Sequence, residues 1–83
     1  QFNLGVFFLQ EQRWPDATQC FEATVKLRPD FAAGHFRLGQ TMVHLEKLPE
    51  AVTQFREALR FQPDNADAKK ALDALLTDHP ELR

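Results

Sequence analysis

The chain repeats itself. Residues 14–30 read WPDATQCFEATVKLRPD, and residues 48–64, 34 positions later, read LPEAVTQFREALRFQPD. A shift of 34 pairs Phe2 with Phe36, Leu4 with Leu38, Gly5 with Gly39, Pro15 with Pro49, Ala17 with Ala51 and Phe21 with Phe55. It also pairs Pro29 with Pro63, Asp30 with Asp64, Ala32 with Ala66, Leu38 with Leu72 and Leu48 with Leu82, giving eleven identities among 49 comparable pairs. Ordinary residue frequencies would supply about three by chance. Asp16/Glu50, Lys26/Arg60, Leu9/Val43 and Phe8/Met42/Leu76 are conservative exchanges at the same phase. A period of this length marks a supersecondary unit that buries its apolar face only by stacking on a neighbour. The 83 residues are too few for two ordinary domains, and a domain this small buries only about 60 % of its unfolded surface.

Each unit reads as two helices. Residues 32–45 place Phe36, Leu38, Met42, Val43 and Leu45 around more than one face, with Asp30 as the expected N-cap, accepting from an orphan N–H. Pro49 then falls where a first helical turn tolerates it. Helix 49–61 carries Ala51, Phe55, Ala58 and Leu59 as one apolar stripe. Glu50 and Arg60 sit at the ends that suit the helix dipole, and Pro63 stops the helix. The first unit repeats this plan, with a helix over about residues 1–11 and another over 15–27 that turns Ala17, Phe21, Thr24 and Val25 inward. A fifth helix over about 66–77 carries Ala68, Ala71, Leu72, Leu75 and Leu76 on one side and Lys69, Lys70, Asp73 and Thr77 on the other. No strand is needed. Gly5 and Gly39 stand mid-helix at the same phase, where glycine costs about 1 kcal/mol against alanine. Two such residues 34 apart imply a close approach by the neighbouring helix, which the small Ala17, Ala51 and Ala58 also serve.

The pattern aromatic, Leu-Gly, aromatic, small, aromatic, small, Pro within about 34 residues resembles the tetratricopeptide repeat family. The first unit supplies Leu4-Gly5, Phe8, Trp14, Ala17, Phe21, Thr24 and Pro29; the second supplies Leu38-Gly39, Met42, Leu48, Ala51, Phe55, Ala58 and Pro63. Met42 and Leu48 replace aromatics, Thr24 replaces alanine, and His35 stands where a leading Trp is usual. The turns between paired helices carry Gln12 and Glu46 where the family commonly has glycine. The resemblance covers about residues 1–78. It implies an all-α, right-handed α-solenoid of two helix hairpins plus a C-terminal capping helix. Residues 1–31 form repeat 1, with its first helix truncated; 32–65 form repeat 2, 66–78 the capping helix and 79–83 a tail. Asp73, at the Leu-Gly phase of the fifth helix, accords with a cap.

Convergent chemistry is absent from this reading. His35 and His44 lie nine apart on one helix, not an i, i+4 metal pair, and His79 lies in the tail. Cys20, alone, gives no disulfide and reads as a small packing residue rather than a reactive thiol. There is no Gly-rich phosphate loop and no Cys/His cluster. Asp16, Glu50, Asp30 and Asp64 each have a helix-start explanation. The expectation is therefore no enzyme, no catalytic residue, no metal and no cofactor. A net charge of −2 and a pI near 5.9 give no basic stripe for a phosphate backbone, and the Leu-Gly and Pro-Asp pattern argues against the related RNA-reading pentatricopeptide repeat. The longest apolar run, GVFFL, is far from the roughly 20 residues needed to cross a bilayer. The chain is expected to be a soluble segment of a longer protein, with the cytoplasm favoured and no membrane contact of its own.

What remains is binding. The resemblance implies a concave groove, lined by the first helix of each hairpin, that takes a peptide or helix of a partner protein. By phase, its lining is Phe2, Val6 and Leu9 in the first hairpin and Ala33, Phe36, Gln40 and Val43 in the second. Arg37 and His44 fall at the edges, with Lys70 and Ala74 on the fifth helix. Phe2, Phe36 and Val43 also admit a reading as core. One subclass holds a C-terminal carboxylate in a Lys/Asn/Asn/Lys/Arg clamp. Read from the first repeat, those places hold Phe2, Val6, Arg37, Asp67 and Ala71, and the match fails. With one repeat missing upstream, Asn3 and Arg37 match but Ala33 replaces a Lys. Phe7 faces the place of a preceding hairpin, so further repeats are expected before residue 1. The alternative function is self-association, a homo-oligomer or scaffold stacking through that open N-terminal face.

Overall fold

The structure is a computed structural model that describes all 83 residues. Five helices follow one another: α1 (Phe2–Gln10), α2 (Trp14–Leu27), α3 (Ala32–His44), α4 (Leu48–Phe61) and α5 (Ala66–Asp78). A single 3-10 turn, Pro80–Leu82, follows α5. There is no strand, and the chain is an all-α helical repeat. Helices α1/α2 and α3/α4 form two hairpins; α2 packs on α3, and α5 on α4.

The turns inside the hairpins close in one way. The Gln12 N–H bonds to Leu9 C=O at 3.1 Å and Arg13 N–H to Phe8 C=O at 2.9 Å. Glu46 and Lys47 repeat this on Val43 (3.0 Å) and Met42 (2.9 Å). This is the Schellman closure, in which a left-handed residue reverses the chain and satisfies two orphan carbonyls. That residue is Gln12 (φ 60°) and Glu46 (φ 59°), the only non-glycine positions with positive φ. The sequence has side chains where glycine would be unstrained.

The caps correct one expectation. Asp30 is not the N-cap of α3; Phe31 is, with no side-chain capping bond. The Phe31 carbonyl accepts from Gly34 (3.0 Å) and His35 (3.3 Å). Its ring meets Phe2 edge-on at 5.1 Å and lies under the Arg28 guanidinium at 4.7 Å, so aromatic packing organises the helix entry. At α5 the cap is Asn65, whose Oδ1 accepts from Ala68 N–H at 3.0 Å, and Asp64 lies one residue outside it. Asp16 and Glu50 do occupy first turns, as does each preceding proline.

The two mid-helix glycines face rings. A Cβ on Gly5 would stand 2.6 Å from Phe21 Cε1, and one on Gly39 2.6 Å from Phe55 Cε1. Phe21 and Phe55 are 0 % and 1 % exposed, with Ala17 and Ala51 fully buried beside them. The close approach inferred from sequence is thus of helix backbone to an aromatic ring, one per hairpin. Cys20 is buried, and Thr24 Oγ1, also buried, donates to its carbonyl at 2.8 Å. Val52, absent from the stripe read in α4, joins the core. On α5, Ala68, Leu72, Leu75 and Leu76 are buried while Lys69, Lys70, Asp73 and Thr77 are exposed. Residues 79–83 are more than a tail, because Leu82 packs back against the core.

His35, in place of the usual Trp, is buried and fastens three segments. Nε2 lies 2.7 Å from the Pro29 carbonyl, Nδ1 lies 2.9 Å from the Gln54 side-chain amide, and the ring stacks 6.0 Å from Phe61. The Pro29 carbonyl only accepts, so Nε2–H donates to it.

Candidate functional site

Helices α3 and α5 flank an open groove. One end is a cleft of ≈ 310 Å³ lined by Gln40, Val43, His44, Ala71, Ala74 and Asp78, with Phe55 and Leu75 at its base. The other end, of ≈ 380 Å³, is lined by Phe36, Arg37, Gln40, Asp67, Lys70, Ala71 and Ala74. Gln40, Ala71 and Ala74 belong to both, so the two form one channel. Early residues of α3 face early residues of α5, and late face late, so the helices run parallel along its walls. Ala71 and Ala74 keep the α5 wall low.

Seven of the residues expected from sequence meet here: Phe36, Arg37, Gln40, Val43, His44, Lys70 and Ala74. Phe36 is half-buried, its ring 6.0 Å from that of Phe55, so it serves both groove and core. The Arg37 guanidinium lies 5.7 Å from the Phe36 ring centre and donates to Gln40 Oε1 at 3.0 Å. The His44 imidazole stacks on the Trp14 indole, centroids 4.0 Å apart and planes 3° from parallel.

Phe2, Val6 and Leu9 are not brought to this groove. Phe2 lines a separate hollow of ≈ 370 Å³ with Gln1, Thr24, Leu27, Arg28 and Phe31. Its ring lies 5.8 Å from Phe21 and 5.1 Å from Phe31. Val6 and Leu9 are partly buried against the core and line no cleft. On α1 these side chains are taken up by packing instead, Phe2 against the Phe21 and Phe31 rings and Val6 and Leu9 against the core. Phe7 stands apart, 50 % exposed on α1 with Leu4 48 % exposed beside it. Sequence reasoning had no sign of Asp78, which lies at the last turn of α5, nor of Trp14 as the support of His44. No three His, Cys, Asp or Glu side chains come together as a metal site would require. No helix is long and apolar enough to cross a membrane.

A known family model, described as tetratricopeptide repeat, matches residues 2–66. The chain belongs to the tetratricopeptide repeat family. Members of this family are non-catalytic modules of protein–protein interaction. The chain is 35 % identical over 72 residues to the tetratricopeptide repeat domain-containing protein PYG7, chloroplastic, of Arabidopsis thaliana, covering 87 % of this chain and 24 % of that protein. It is 38 % identical over 69 residues to the Hsp70-Hsp90 organizing protein of Triticum aestivum, covering 75 % and 12 %. It is 33 % identical over 63 residues to the peroxisomal targeting signal receptor of Candida albicans, covering 76 % and 11 %. The tetratricopeptide segment thus spans a quarter or less of the length of these relatives.

Proposed function

We propose that this tetratricopeptide segment binds a helix or peptide of a partner protein in the groove between α3 and α5, with α5 closing the array as its cap. The carrying observation is the continuity of the two clefts through Gln40, Ala71 and Ala74, which line both. Relatives whose names speak of a receptor for a targeting signal and an organizer of two chaperones accord with a peptide-reading role. They accord with no single compartment, since another is named chloroplastic. The chain's role is one of recognition, without catalysis or nucleic acid.

A second reading has its own observation. Leu4 and Phe7 are 48 % and 50 % exposed, whereas their counterparts 34 residues on, Leu38 and Thr41, are 3 % and 0 % exposed under the first hairpin. The α1 face is therefore shaped for a neighbour, whether another repeat or another copy of the chain.

One comparison separates the two. Partner capture by the wild-type chain is set beside Ala74→Glu, which blocks the groove at an exposed site, and Phe7→Asp, which alters only the α1 face. Groove binding predicts loss with Ala74→Glu and retention with Phe7→Asp. The reverse result, with a sedimenting dimer that Phe7→Asp dissociates, would establish the α1 face instead.

A further inference from the structure

The groove is apolar along its floor and charged at its ends. Arg37 and Lys70 line one end. Neither takes part in an ion pair, since the chain's pairs are Arg13–Asp16, Arg60–Glu57 and His79–Glu81. Asp67 shares that end, but it stands in the first turn of α5, where the helix dipole already favours a carboxylate. The opposite end holds Asp78, also unpaired, beside His44. Asp78 is the last residue of α5, and no basic residue occupies that turn. Its charge adds to the negative end of the helix dipole rather than opposing it.

Seven positions separate Arg37 from His44 and eight separate Lys70 from Asp78, or about 10–12 Å along parallel helices at 1.5 Å per residue. A docked helix matches that span with side chains about seven residues apart on one face. The low Ala71/Ala74 wall admits a helix backbone closely.

We propose that this groove selects an amphipathic partner helix with a carboxylate over Arg37 and Lys70 and a cation over Asp78. The two charges lie about two turns apart, with small apolar side chains between them facing Val43, Ala71 and Ala74. This rests on the groove reading above and adds the chemistry and span of the occupant. The apolar floor supplies contact, and the charged ends suppress ligands with the wrong charge at either end.

The probe is a displayed library of helical peptides about four turns long, randomised along one face and panned against the intact chain. The recovered sequences should carry Asp or Glu and Lys or Arg about seven residues apart, flanking apolar positions. Trp14, the chain's one tryptophan, stacks on a groove residue and reports binding of the synthetic peptide by fluorescence. Both Lys70→Glu and Asp78→Lys change exposed residues and should fold normally. Each should weaken the selected peptide about fivefold or more at low salt. Panning on Asp78→Lys should replace the selected cation by an acid. Peptides that share only apolar positions, and bind both variants as tightly as wild type, would overturn the charge selection while leaving the groove in place. No enrichment, or enrichment abolished by Phe7→Asp and not by Ala74→Glu, would remove the groove reading and this inference with it.

Discussion

Gly39→Ala sets two opposed effects against each other. Alanine in a helix interior is about 1 kcal/mol more favourable than glycine, so propensity alone makes the variant more stable. In the fold, the added methyl carbon would stand 2.6 Å from Phe55 Cε1 and 2.7 Å from Cδ1. That is about 1 Å inside an ordinary carbon–carbon contact. The ring is 1 % exposed, with the Phe36 ring 6.0 Å away, and to yield it would have to shift toward the cleft whose base it forms. Overpacking of this kind costs about 1–3 kcal/mol. The expected balance is a loss of about 1 kcal/mol, seen as a Tm lower by about 4–8 °C in a domain this small. Urea unfolding followed by circular dichroism and Trp14 fluorescence measures it. A second arm tests the cause. Phe55→Leu removes the ring edge, so in that background Gly39→Ala should stabilise by about 1 kcal/mol, and the sign reverses. Stabilisation in the wild-type background, or an equal loss in both, would refute the ring contact as the reason for glycine.

Other outcomes follow from the turns, caps and buried polar contacts. Gln12→Gly and Glu46→Gly should each stabilise the fold by about 1 kcal/mol, seen as a higher unfolding midpoint, because glycine takes the left-handed turn without strain; no change in either would show the turns to be relaxed. Asn65→Ala should lose about 1 kcal/mol with the α5 cap, while Asp64→Ala should stay within about 0.5 kcal/mol, and equal effects would contradict the cap assignment. His35→Phe should lose about 1–3 kcal/mol by stranding the Pro29 carbonyl and the Gln54 amide, read by thermal melting. Phe36→Ala should reduce both stability, by about 2 kcal/mol for a half-buried ring, and partner affinity; an effect on only one would assign Phe36 wholly to core or to groove.

Much of this fold was legible in the chain because its signals are local and occur twice. Pro15 and Pro49 start α2 and α4, Pro29 and Pro63 follow their ends, and a 34-residue phase orders the apolar positions between them. Helix boundaries read from these marks lie within a residue or so of those observed. The caps were less legible. Asp30 and Asp64 have the right chemistry one residue too early, and whether a side chain caps depends on where the backbone enters the helix. At α3 that entry is associated with Phe31 against Phe2.

The site divides along the same line. Periodicity determined which residues lie on the inner sides of α1, α3 and α5, since that follows from 3.6 residues per turn and the repeat phase. It could not determine which of those sides stay open. Phe2, Val6 and Leu9 share the phase of Phe36, Gln40 and Val43, yet the first set packs inward or lines a separate hollow while the second borders the groove. The charges at the groove ends acquire meaning only when α5 is laid parallel to α3. Arg37 and Lys70 are 33 positions apart in the chain and line one cleft in the fold. A repeat period sets the direction in which each side chain points, but the distance between two helices is set by the side chains packed between them. Here those are Phe55 against Gly39 and the buried Leu72 and Leu75 of α5.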